Sequence, residues 1–158
     1  AGEPAHEFLP QVRVHRHPST PDRPVQGGCI LILGIGVDLV TAARVQAAAE
    51  RFGRRFLGRL FTAAERELCR ADHLRLAGRI AAKEALLKAI GTGLRGFSWQ
   101  ELEIIADVAG APVLRAHGRF ARALAERGVS RVHLSISHTK EYAVALAILE
   151  GGTPGCTS

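Results

Sequence analysis

The stretch from His73 to Ile90 constrains this chain most. It carries apolar residues at helical spacing and is followed by Gly91, a residue that ends helices by adopting the left-handed conformation. Any fold of this chain has to be built around that helix. Its centre, AGRIAAKEALLKAI, sets Glu84 and Lys88 at i,i+4 spacing, so they share a face. The same face carries Ala77 and Ala81, with Ile80 and Leu87 to one side and Ala85 to the other. Small residues let a neighbour approach closely, which puts Glu84 and Lys88 at the edge of a packed surface. The plain alternative is an exposed ion pair worth only ~0.3–0.5 kcal/mol. Arg79 and Lys83 fall together on another face and are candidates for binding phosphate.

The remaining elements follow from periodicity and punctuation. Residues 30–37 (ILILGIGV) predict a buried strand. Thr41 is expected to cap a helix running to about Phe52, with a second helical stretch over Arg54–Leu60. Thr62 followed by Glu65 is a capping-box pattern and predicts a helix to about Arg70. Trp99–Asp107 and Val113–Ala116 read as strands on either side of an Ala-Gly-Ala-Pro turn. Phe120–Arg127 reads as a helix stopped by Gly128. Arg131–Ser137 and Tyr142–Leu149 read as two strands of a hairpin joined through His138–Glu141. The expected fold is a single α+β domain over residues 30–150, a mostly antiparallel sheet packed with the long central helix. Residues 1–29 hold five of the seven prolines, lack apolar periodicity and are expected to be a disordered extension. Residues 151–158 are expected to be a flexible tail.

Composition removes several classes. With 158 residues, 47% hydrophobic and 23% charged, the chain has ordinary globular make-up. Its longest apolar runs, Cys29–Val37 and Ala143–Leu149, fall far short of the ~20 residues that span a bilayer. No apolar signal-peptide core is visible in the first thirty residues. Cys29, Cys69 and Cys156 form no CxxC pair, which fits reduced thiols in a cytoplasm. The net charge of +6 is concentrated in Thr41–Arg79, where nine arginines face Glu50, Glu65, Glu67 and Asp72. Such a surface attracts an anionic partner: nucleic acid, a phosphate-rich cofactor or an acidic protein. A nucleic-acid-binding module would need aromatic stacking platforms, and the aromatic residues form no such cluster.

Three places can carry chemistry. Asp38 ends the run Gly34-Ile35-Gly36-Val37-Asp38, where it either presents a carboxylate in a cleft or caps the next helix. Position 39 is leucine, so the dinucleotide-binding glycine fingerprint is absent. Glu84 and Lys88 are the second place. The third is Ser135-Ile136-Ser137-His138-Thr139, which lacks the GxSxG elbow and an identifiable acid, leaving a hydrolase reading weak. Two carboxylates on separate elements suit Mg²⁺, which binds through one or two carboxylates plus substrate phosphates and water. Nearby arginines suit further phosphate. These residues permit a magnesium-dependent enzyme acting on a phosphoanhydride without selecting the reaction.

Four segments in this order, GIGVDLV, GRIAAKEALLKAIGTG, LEI and SISHTKEYAVALAIL, resemble the bacterial holo-[acyl-carrier-protein] synthases, the small 4′-phosphopantetheinyl transferases. The resemblance covers about residues 31–150. It implies transfer of 4′-phosphopantetheine from coenzyme A to a serine of an apo acyl carrier protein, with release of 3′,5′-ADP. It further implies Asp38 and Glu84 as ligands of Mg²⁺, and Lys88 beside the transferring phosphate. Glu84 is the expected base, directly or through a water on the metal. His138 and Thr139 are expected to line the coenzyme A site, with Arg79 and Lys83 on its phosphates. Arg44, Arg51, Arg54 and Arg55 are expected to dock the acidic carrier protein. A homotrimer is implied as well, and neither nucleic acid nor membrane is an expected partner.

Overall fold

A computed structural model describes residues 30–70 and 72–152. The expectations for residues 1–29 and 153–158 lie outside the described residues. Strand β1 spans Ile30–Thr41 and leads directly into helix α1, Ala42–Leu60. Helices α2 (Ala63–Cys69) and α3 (His73–Ile90) follow. A single 3-10 turn at Trp99–Glu101 precedes the short hairpin β2 (Leu102–Ala106) and β3 (Pro112–Ala116). Helix α4 (Gly118–Glu126) connects to β4 (Val129–His138) and β5 (Tyr142–Gly152), the last reaching into the expected tail. The α+β class is as expected.

Three antiparallel strands in the order β1-β5-β4 form the main sheet, and β2-β3 form a second, two-stranded one. Helix α3 lies across one face of the main sheet and supplies much of the core through Leu76, Ala81, Ala85, Leu86, Leu87 and Ile90. Its N-terminus is capped by Asp72, whose carboxylate accepts from the backbone amides of Leu74 and Arg75. Gly91 closes it at φ 74°, in the left-handed region where a glycine costs least. Burial runs nearly all round this helix, with alanines on several sides, so it has little polarity of its own.

Two glycines let α3 meet the sheet. A Cβ on Gly36 would overlap the Ala85 carbonyl, and one on Gly34 the Ala89 carbonyl. The strand therefore approaches the helix backbone to backbone, which only glycine permits. This contact sets the height of Asp38 relative to α3.

Local expectations and structure part in four places, the first being that residues 30–37, expected as a buried strand, are exposed along one face of β1. Asp38 lies inside β1, paired in register with Ala145, so it is a strand residue and not a helix cap. Thr41 stands at the N-cap of α1 but makes no capping bond. The amide of Ala42 donates instead to the Glu141 carbonyl at 2.8 Å, across from the β4–β5 turn. Residues 99–101 form a 3-10 turn where a strand was expected, because Ser98 and Glu101 make a capping box. The expected break after Phe52 is present: Gly53 has φ 55° and ψ −140° and interrupts α1.

The opposite face of the main sheet is open and apolar. Ile35, Val37 and Leu39 of β1 and Tyr142, Val144 and Leu146 of β5 are all exposed, between 37% and 62%.

Candidate active site

The expected cluster of Asp38, Glu84 and Lys88 assembles between β1 and α3. Asp38 shares the α3-facing side of β1 with Gly34 and Gly36, by the two-residue period of a strand. Glu84 and Lys88 reach it from successive turns of α3. The Lys88 ammonium donates to Asp38 Oδ1 at 2.8 Å and to the Val37 carbonyl at 3.0 Å. The side chain of Asp38 is only 17% exposed, against 54% for Lys88, so the pair sits at the mouth of a cleft.

The two carboxylates feel each other. Burial pushes the Glu84 carboxyl above its ordinary value, the charge of Asp38 pushes it further, and Lys88 partly opposes both. The hydrogen bond to Asp38 raises the Lys88 ammonium above the usual lysine range. Two partly buried carboxylates face one ammonium here, bonded to Asp38 and acting on Glu84 through its charge alone, a donor set of hard oxygens with an excess of negative charge. That set fits Mg²⁺. Among the described residues no group of three or more histidine, cysteine or acidic side chains converges as a metal site. A magnesium ion held here would take its other oxygens from substrate and water.

A cavity of about 370 Å³ opens beside the N-terminal half of α3. Leu74, Arg75 and Arg79 line it from the helix, Pro112 from β3, and Ile136 and His138 from β4. Ile136 pairs with Ala145, which pairs with Asp38, so cavity and cluster lie on one face of one sheet. Arg79 Nε donates to the Ile104 carbonyl at 3.1 Å, which fixes its guanidinium at the cavity wall. Thr139 shapes the β4–β5 turn: its amide donates to the Tyr142 carbonyl at 2.8 Å, and its hydroxyl accepts from the amides of Glu141 and Tyr142. Arg75 was not singled out from the sequence. Its i,i+4 spacing to Arg79 was the available signal.

Lys83 departs from expectation. Its ammonium is fully buried and donates to Glu65 Oε2 at 2.8 Å, the Leu60 carbonyl at 2.7 Å and the Trp99 carbonyl at 2.9 Å. All three donors are committed, and burial pushes the group below the ordinary lysine range while Glu65 holds it up. Lys83 thus points into the core and is not available to a phosphate. Glu65 is equally committed, accepting from Thr62 N and Ile104 N as well. The capping box of α2 therefore doubles as the counter-charge for α3.

Arg44, Arg51, Arg54 and Arg55 are all exposed on α1, on both sides of the break at Gly53. The Arg51 guanidinium stacks 5.0 Å from the Phe52 ring centroid. Ser135 and Ser137 alternate away from Ile136, which packs toward Gly78 of α3, so they lie on the sheet's open face. No described helix is long and apolar enough to cross a membrane.

The chain is similar to known proteins over most of its length. The "Holo-[acyl-carrier-protein] synthase" of Desulforudis audaxviator is 50% identical over 124 residues, covering 77% of this chain and 95% of that protein. The crystal structure of a holo-[acyl-carrier-protein] synthase from Neisseria meningitidis superposes with a TM-score of 0.70 at 37% identity, covering 75% of this chain and 98% of that one. A Bacillus anthracis holo-(acyl-carrier-protein) synthase in complex with CoA (3′,5′-ADP) matches with a TM-score of 0.63 at 35% identity, over 76% of this chain and 97% of that one. A sequence profile of the 4′-phosphopantetheinyl transferase superfamily matches residues 34–147, and the chain belongs to that superfamily.

Proposed function

We propose that this chain is a holo-[acyl-carrier-protein] synthase, moving 4′-phosphopantetheine from coenzyme A to a serine of an apo acyl carrier protein. The observation that carries this reading is the Asp38–Glu84–Lys88 cluster beside an arginine-lined cavity, in a member of this superfamily. The serine oxygen forms a new P–O bond to the phosphate that bears pantetheine. The P–O bond to 3′,5′-ADP breaks, and the serine proton is lost.

Each residue has a task that its surroundings support. Glu84 takes up the serine proton, directly or through a water, as the carboxylate of α3 whose pKa burial and the charge of Asp38 both raise. Lys88 places an exposed positive charge at the cleft mouth, where charge develops on the leaving phosphate. Arg75, Arg79 and His138 form the wall against which coenzyme A phosphates settle, with Thr139 holding the adjacent turn. Asp38 and Glu84 would hold Mg²⁺, which would supply neutralisation of the pyrophosphate charge.

The exposed arginines of α1, with Arg44 foremost, offer an acidic carrier protein a complementary surface that raises encounter rate and selects orientation. The open apolar face of β1 and β5 supports association of this chain with its own copies, read as a trimer. Buried Cys69 as a free thiol supports a reducing, cytoplasmic setting.

The test is intact mass spectrometry of an apo acyl carrier protein incubated with this protein, coenzyme A and Mg²⁺. The expected result is a phosphopantetheine-sized mass gain on the carrier serine that EDTA prevents. No gain on any of several folded apo carriers would refute the transferase reading, and a gain insensitive to EDTA would refute the metal.

A further inference from the structure

Asp38 is the meeting point of two cationic demands. Its carboxylate is largely desolvated, and Lys88 already supplies it with a counter-charge through a bond of 2.8 Å. The same ammonium takes the Val37 carbonyl at 3.0 Å, so β1 holds it twice, by backbone and by side chain. Glu84, a turn earlier, shares the electrostatic field of both. A divalent ion bonded to Asp38 would stand within a few ångströms of that ammonium, and like charges at such a distance in a partly buried cleft repel strongly. Lys88 has somewhere else to go. It lies in the last turn of α3 with its side chain 54% exposed, and a four-carbon stem lets the ammonium swing outward.

We propose that Lys88 and a divalent cation are alternative occupants of Asp38, so that substrate phosphates promote metal loading by drawing Lys88 off that carboxylate. This rests on the metal reading of Asp38 given above. Lys88 then does more than stabilise the leaving group. It keeps metal affinity low until a phosphate gives the ammonium a new partner, and so orders metal and nucleotide binding. By linkage, whatever pulls Lys88 away from Asp38 strengthens metal binding by the same factor that metal strengthens the Lys88–phosphate contact.

The experiment is a titration of the full-length protein with Mn²⁺, following the free aqueous Mn²⁺ signal by electron paramagnetic resonance. It compares wild type, Lys88→Met, Asp38→Asn and the double variant, each with and without 3′,5′-ADP. Without nucleotide, Lys88→Met is expected to bind Mn²⁺ on the order of tenfold more tightly than wild type, inside the ~5–150-fold span of ordinary site couplings. Saturating 3′,5′-ADP is expected to narrow that gap. The gain from Lys88→Met is expected to vanish in the Asp38→Asn background, because the double-mutant cycle isolates the contact between the two. Equal affinities in wild type and Lys88→Met would overturn the proposal. So would a gain that persists without the Asp38 charge, since that is a general field effect and not competition for one carboxylate. If no protein binds Mn²⁺ with or without nucleotide, the metal assignment itself falls and takes this proposal with it. Lys88→Gln serves as a second variant should Lys88→Met fail to fold, with folding followed by circular dichroism.

Discussion

Replacing Lys83 by methionine separates two readings of one residue. If Lys83 bound a coenzyme A phosphate, the substitution would leave stability alone and raise KM for coenzyme A. The geometry predicts the reverse. Lys83→Met removes three bonds at once and strands the Glu65 carboxylate at 0% exposure without its counter-charge, beside the Leu60 carbonyl that has lost its donor. Breaking one side of a buried ion pair costs about 3–5 kcal/mol, because the remaining charge has no compensation. That is a large share of the ~5–15 kcal/mol by which a domain is stable. At roughly 4 °C per kcal/mol for a domain of this size, the melting temperature is expected to fall by about 12–20 °C. Thermal denaturation followed by circular dichroism measures it. Pairing Lys83→Met with Glu65→Gln is expected to restore part of the loss, since no unpaired charge remains. A Lys83→Met protein that melts within ~4 °C of wild type, with a raised KM for coenzyme A, would refute the buried-pair reasoning.

Three further outcomes follow from the same geometry. Because the Glu84 carboxyl titrates above its ordinary 4.5 in the fold, the unfolded chain binds fewer protons between the two values, and ionisation of Glu84 lowers stability as pH rises through that window. Glu84→Gln, melted in EDTA, is therefore expected to match wild type at pH 4 and to melt at the same or a higher temperature at pH 8, while transferring no phosphopantetheine; a lower melting point at pH 8 would contradict this. Gly36→Ala forces a methyl group into the Ala85 carbonyl and is expected to cost about 1–3 kcal/mol or more, together with the loss of transfer as Asp38 moves away from α3. A stable, active Gly36→Ala protein would show that strand and helix do not touch there. Arg44→Glu is expected to raise KM for the carrier protein at least severalfold with KM for coenzyme A unchanged, and steady-state kinetics with each substrate varied would reveal the opposite pattern if α1 is not the docking surface.

Much of this molecule is written locally. The limits of α3, the glycine that ends it, the Thr62–Glu65 box, the break at Gly53 and the β4–β5 hairpin all depend on residues within a few positions of one another. The capping box at Ser98 and Glu101 was equally local and was obscured by the alternation of the residues that follow. The partnership of Glu84 with Lys88 was legible too, because helical spacing alone makes them neighbours. Their meeting with Asp38 was legible only through the order of motifs that the chain shares with its relatives.

Tertiary structure decided what periodicity leaves open. Spacing places Lys83 and Arg79 together on one face of α3, but it does not say what lies opposite. The helix is covered nearly all round and lined with alanines, so no polar stripe marks a side that must face water. Only the packing of α2, the end of α1 and the 3-10 turn around Lys83 made its surroundings a closed set of acceptors, while Arg79 opened onto a cavity with Arg75 and His138. Asp38 tells the same story: as the end of a glycine-interrupted run, taken alone, it suited a helix cap better than a cleft. The pairing of β1 with β5, across strands more than a hundred residues apart in sequence, chose the cleft. Local chemistry determines where elements begin and end, and the burial of one element by distant others determines which of its side chains are left to do chemistry.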